Sequence, residues 1–162
     1  MSIQSARSID VHAHAVLAGS MGTAGSYEPE IGSDGPDHPW FRVGNYRLDG
    51  VRYTGSAFME VDVRLENMQA AGIEFQVLSP NPLTYFHHIE AGQANAYCRR
   101  HNDELAALVS QHPSRLAALA SLPMQSPEAA REELVRAVRE LGMRGACIGA
   151  ELPLALDSGQ LD

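Results

Sequence analysis

At 162 residues with 44% hydrophobic side chains, the chain has the length and apolar content of one ordinary domain with a real core. A formal charge of −8 without a Lys/Arg cluster argues against nucleic acid or an anionic membrane as a partner. All basic residues are arginines, so neither a lysine Schiff base nor a carboxylated-lysine metal bridge can come from this segment. Cys98 and Cys147 sit in apolar patterns without metal-type spacing and read as buried free thiols. No charged N-terminal region leads into an apolar run, and no stretch approaches about 20 apolar residues, so a cytoplasmic protein is expected.

Residues 8–14 (SIDVHAH) read as a short buried strand, with Ile9 and Val11 on one side and Asp10, His12 and His14 on the other. The next stretch, 15–61, shows little periodicity and holds eight of the fourteen glycines. Loops this long inside compact domains are usually lids or binding loops, and Trp40, Phe41, Arg42, Tyr46, Arg47, Arg52 and Tyr53 make a plain linker a poorer reading. Asp62 fits the N-cap of a helix through Ala71, with Leu65, Met68 and Ala71 on one face and Gly72 as its stop. A second strand follows over 73–79, ended by Pro80-Asn81-Pro82. Ala94, Tyr97, Cys98, His101, Leu105, Leu108 and Val109 recur at helical spacing and predict a long helix over about 90–111. A third strand is expected over 116–122. Ser126 then caps a helix with Pro127 in its first position, burying Ala130, Leu134, Ala137, Val138 and Leu141 and closing at Gly142. Residues 144–149 read as a fourth strand.

Strand and helix alternate, which predicts a parallel sheet built from right-handed crossovers. On pattern alone, a doubly wound sheet and a (β/α)₈ barrel both remain open. Barrels typically need about 250 residues, and this sequence stops after four strands, so it fits the front half of one.

His12 and His14 carry the chemistry. Residues i and i+2 of a strand share a face, about 6.6 Å apart. Two imidazoles projecting from there can converge on one ion, and barrels assemble their sites at strand C-termini. Two ligands do not complete a catalytic site, which normally takes three. His87 and His88 follow the second strand and fit a metal less well, His101 reads as a packed core residue with its polar tip satisfied, and His112 complements a helix C-terminus. His38, in the lid, is undetermined. Asp10 is either an orienting partner for an imidazole or a satisfier of backbone groups.

The segments S-I-D-V-H-A-H (8–14), F-R-V (41–43), M-Q-A-A-G-I-E-F-Q-V-L-S (68–79), L-P-M-Q-S-P (122–127) and E-L-G-M-R-G-A-C-I-G (140–149) resemble the aminocarboxymuconate-semialdehyde decarboxylase family. The resemblance implies an α/β fold, the N-terminal half of a metal-dependent (β/α)₈ barrel with about four parallel strands and a long lid over 15–61. It implies one divalent ion, zinc first and manganese second, with His12 and His14 as ligands. The remaining ligands and the catalytic acid/base are expected beyond Asp162. Arg42 of F-R-V would hold a substrate carboxylate, a contact that suits a guanidinium. A second arginine shortly after that motif is replaced here by G-N-Y-R, where Arg47 is the candidate substitute. Tyr85, with Phe86 and Trp40, could wall the pocket. Strand 4 ends G-A-C-I-G-A-E without lysine; Glu151 could bridge two ions, but a mononuclear site is the better fit.

The implied activity is non-oxidative, metal-dependent decarboxylation of a small unsaturated or aromatic carboxylic acid by a homo-oligomer. One alternative is a hydrolase using the same metal-bound water. A second is an inactive half-barrel that acts only by assembly through its open sheet edges.

Overall fold

The computed structural model describes residues 8–27 and 29–149. Three parallel strands, β1 (Ile9–Ala15), β5 (Phe75–Pro80) and β6 (Leu116–Ala118), form one sheet in the order β1-β5-β6. Helices α1 (Val61–Ala70), α2 (Ala91–Ser110) and α3 (Pro127–Arg139) alternate with them. The expected fourth strand is represented by a single parallel bridge, Ala120 to Ala146, so 144–149 shows the strand's position but not a full ladder. Glu151, considered above as a bridge between two ions, lies outside the described residues.

Between sheet and helices lies one apolar core. Ala13, Ala15, Leu78, Leu116 and Ala118 from the strands meet Met68, Leu105, Ala130 and Ala137 from the helices. Fully burying a side chain such as Leu78 or Leu105 contributes about 2–3 kcal/mol.

Segment 15–61 is more regular than its composition suggested. Strands β2 (Pro29–Ser33), β3 (Pro39–Val43) and β4 (Tyr46–Asp49) form an antiparallel sheet. Phe41 and Val43 are buried while Arg42 between them is exposed, the period-2 pattern of a half-covered strand. Gly44, at φ +55°, opens the two-residue turn between β3 and β4, a position that favours glycine. The covered face of this sheet packs on a second core that includes Phe41, Tyr53, Phe86 and Tyr97.

Several local expectations shift. Glu60, not Asp62, is the N-cap of α1, and Asp62 sits in the first turn, where an acid suits the helix dipole. Gly72, at φ +69°, does end that helix. Ala71 is exposed, and Arg64 is buried in its place. Ser126 caps α3 by accepting from the Ala129 N–H, with Pro127 at its first position. In α3 Val138 is exposed, whereas Glu133 is fully buried. Ile9 and Val11 are also exposed, and among the described residues β1 pairs with β5 alone.

Candidate functional site

β1 is not a regular strand. Asp10 registers with Gln76 and Ala13 with Leu78, so three steps on β1 match two on β5. This is a β-bulge over Val11 and His12, a device that re-aims side chains next to functional sites. It also moves Asp10 to the face that carries Ala13, toward the helices. Asp10 therefore does not share a face with the histidines, as strict alternation predicted. Its carboxylate accepts the His12 backbone N–H at 2.9 Å and the Gln76 side-chain amide at 2.7 Å. Those two donors hold its pKa below the ordinary carboxylate value.

Beyond the bulge, His12 and His14 come together at the C-terminal end of β1, their rings 5.1 Å apart and nearly perpendicular. His12 is exposed and His14 half-buried. The Nδ1 atom of His14 lies 3.0 Å from the Pro80 carbonyl oxygen and 2.9 Å from the Ser79 hydroxyl. A carbonyl only accepts, so the Pro80 contact is a hydrogen bond in the Nδ1–H tautomer, in which the Ser79 hydroxyl is free to donate to the Ala13 carbonyl at 3.2 Å. In that tautomer Nε2 carries the lone pair. A metal-ligating histidine is held in this way, with its other nitrogen donating to a backbone carbonyl. The two imidazoles thus fit part of a divalent metal site by donor chemistry and tautomer. Among the described residues no cluster of three or more His, Cys, Asp or Glu side chains completes one.

The other predicted site residues lie apart from this pair. Arg42 on β3 and Arg47 on β4 are register partners on the exposed face of the antiparallel sheet. Arg42 pairs with Glu30, and Arg47 pairs with Asp34 and Asp49 while lying 4.8 Å over the Trp40 ring. Arg42 lines an open cavity of about 500 Å³ with Gly25, Ser26, Glu30, Gly44 and Asn45; neither histidine lines it. Tyr85, half-buried, stacks on His87, and its hydroxyl lies 3.0 Å from the Cys147 thiol. Burial, then that thiol, push the phenol's pKa upward. Cys147 is only partly buried, whereas Cys98 is buried and raised to about 12 by desolvation.

Two further histidines depart from expectation. His101 is buried as predicted, but neither ring nitrogen has a hydrogen-bond partner among the described residues, and desolvation lowers its pKa to about 4. His87 also has both nitrogens shielded and unpartnered, and burial followed by neighbouring His88 lowers its pKa.

Sequence reasoning missed Arg64, Gln76 and Ser79, all buried and all bonded to β1. The available signal was a glutamine in the middle of the apolar strand IEFQVLS, since a buried amide needs partners.

An amidohydrolase family profile matches residues 9–160. The gamma-resorcylate decarboxylase of Polaromonas sp. (strain JS666) is 39% identical over 106 residues, which is 61% of this chain and 32% of the relative. The 2-amino-3-carboxymuconate-6-semialdehyde decarboxylase of Dictyostelium discoideum is 32% identical over 118 residues, 72% of this chain and 33% of the relative. Among solved structures, the dihydroxybenzoic acid decarboxylase of Polaromonas sp. JS666, with bound manganese and the inhibitor 2-nitroresorcinol, superposes with a TM-score of 0.67 at 28% identity. That match covers 95% of this chain and 43% of the solved one. The chain therefore spans about a third of the length of these curated relatives.

Proposed function

Because the chain belongs to the amidohydrolase family, we propose that it contributes the first part of a metal-dependent, non-oxidative decarboxylase of small unsaturated or aromatic carboxylic acids. The observation that carries this reading is the setting of His14: its Nδ1 lies 3.0 Å from the Pro80 carbonyl, an acceptor that suits Nδ1–H with Nε2 left to coordinate, beside a second imidazole at a strand's C-terminal end. Decarboxylases among the similar proteins favour this reaction over hydrolysis.

On this reading His12 and His14 supply two ligands to one divalent ion. A bound ion polarises a substrate oxygen and stabilises the charge that gathers there. Zinc suits the imidazole ligands, and manganese is what the Polaromonas structure holds. Segment 15–61 acts as the lid, and Arg42 and Arg47 receive the substrate carboxylate. Their present partners do not forbid this, since exposed ion pairs are worth about 1 kcal/mol at most and an incoming carboxylate can displace Glu30. Tyr85 forms part of the pocket wall. No described helix is long and apolar enough to cross a membrane; a cytoplasmic homo-oligomer remains part of the proposal.

The test uses the intact protein with a dihydroxybenzoate. Carbon dioxide release with one aromatic product is expected, whereas two organic fragments would overturn decarboxylation in favour of hydrolysis. Elemental analysis identifies the metal. His12→Ala and His14→Ala should both lose it, and retention of full metal content in both would refute the ligand assignment.

A further inference from the structure

Behind the histidine pair, on the helix side of the sheet, runs an unbroken chain of polar side chains. Arg64 of α1 donates through NH2 to the His14 backbone carbonyl and through NH1 to Gln76 Oε1, each at 2.7 Å. Gln76 Nε2 donates to Asp10 at 2.7 Å, and Asp10 accepts the His12 backbone N–H. The chain ends fix its polarity, since a guanidinium can only donate and a carboxylate only accepts. Gln76 therefore has one consistent orientation, with its oxygen toward Arg64 and its amide nitrogen toward Asp10.

Arg64 and Gln76 are 6% and 7% exposed, although both groups are costly to bury. Buried polar groups are costly unless partners satisfy them, so their presence needs a reason. Their contacts supply one. The relay grips β1 at both sides of the bulge: Asp10 takes the N–H of the bulged residue, and Arg64 takes the carbonyl two residues later. Those two backbone groups set where the His12 and His14 side chains start.

We propose that Arg64, Gln76 and Asp10 are positioning residues that hold the bulge of β1 and thereby preorganise the two imidazoles for metal. The proposal rests on the reading of His12 and His14 as ligands. Its physical content is that the pair's geometry is imposed from α1, across the sheet, before any ion arrives. Bulges re-aim side chains only as long as the bulge itself is fixed, and outer partners of metal ligands typically tune affinity by about 10–100-fold.

Two measurements on the intact protein test it. First, manganese and zinc affinities are measured by equilibrium dialysis for Arg64→Met and Gln76→Leu, counting only folded protein. Affinity should weaken about tenfold or more, with partial recovery in Arg64→Lys, which keeps one donor. A purely structural role would lower stability and leave the affinity of the folded fraction unchanged. Second, amide hydrogen exchange is followed in metal-free protein. The N–H groups of residues 11–15 should exchange faster in Arg64→Met than in wild type, while those of α2 do not change. Unchanged affinity or unchanged exchange at β1 overturns the proposal. The histidine reading fails separately: if His12→Ala and His14→Ala bind metal like wild type, the ligand assignment is wrong, and the exchange measurement still decides whether the relay holds the bulge.

Discussion

His101 shows how one side chain can set a pH limit on the whole molecule. Its ring stacks on Tyr97 inside the second core, with no partner for either nitrogen, so the folded protein keeps it neutral. Its pKa falls from 6.5 to about 4 through desolvation. The unfolded chain therefore binds a proton that the folded chain refuses between those values. Stability is fully present above about pH 6.5 and declines as pH falls toward 4, by up to about 3 kcal/mol. His101→Phe keeps the ring and removes the nitrogens. Urea unfolding at pH 7 and pH 4.5 should show wild type losing about 2–3 kcal/mol more than the variant. Equal losses in both proteins would mean that His101 finds a partner in the folded state. His14 is the contrasting case, a half-buried histidine whose Nδ1 is satisfied by Pro80 and whose Nε2 is left available.

At the level of elements, α2 and α3 are joined by a buried acid. Glu133 is completely shielded and accepts from Asn102 at 2.7 Å, from Arg136 at 2.8 Å through both Nε and NH2, and from Arg99 at 3.1 Å. Arg136 continues to Asp103 at 2.6 Å, and Glu133 foremost raises its pKa. Glu133→Ala removes one acceptor each from Asn102, Arg99 and Arg136, and the loss should be about 3 kcal/mol, at the lower end for buried pairs because Arg136 keeps Asp103 and Arg99 is about half exposed. The urea midpoint should fall with the m-value unchanged, and Glu133→Gln should fall less. An apolar pattern could not announce this helix pairing, because the residue at its centre is charged. The same lesson applies to 15–61. Glycine content suggested a loop, while the alternation in P-W-F-R-V and the G-N turn carried a hairpin that composition obscured.

For the whole molecule, the parallel sheet places the histidines at a strand end, and the metal proposal has a thermodynamic consequence there. An ion that binds the folded state alone stabilises it by mass action, by about 2.7 kcal/mol at a concentration one hundred times its Kd. Adding manganese or zinc to chelator-treated intact protein should therefore raise Tm, and His14→Ala should abolish the rise. A rise of equal size in that variant would place the ion elsewhere. Among the described residues no strand pairs with β1 on the side away from β5, and Val11 is 70% exposed. A groove of about 700 Å³ lined by Leu122, Met124, Leu134, Ala146 and Ile148 lies beside the bridge between Ala120 and Ala146.

Much of this architecture was legible in the sequence by itself. The alternation of periods gave the order of strands and helices, Ser126 with Pro127 and Gly72 marked helix ends, and H-x-H at the end of an apolar strand marked the candidate metal ligands. These signals are local, written within about one turn or one strand of the residue concerned. Tertiary structure alone decided the rest. The bulge in β1 depends on register against β5, sixty-odd residues away, and it is this register that sends Asp10 to the helix side and His12 beside His14. The acceptor that His14 Nδ1 faces depends on where the Pro80 carbonyl falls, and the burial of Arg64, Gln76 and Glu133 depends on partners in other elements. Polar groups are buried where distant partners satisfy them, and those partners are set by the fold rather than by spacing along the chain.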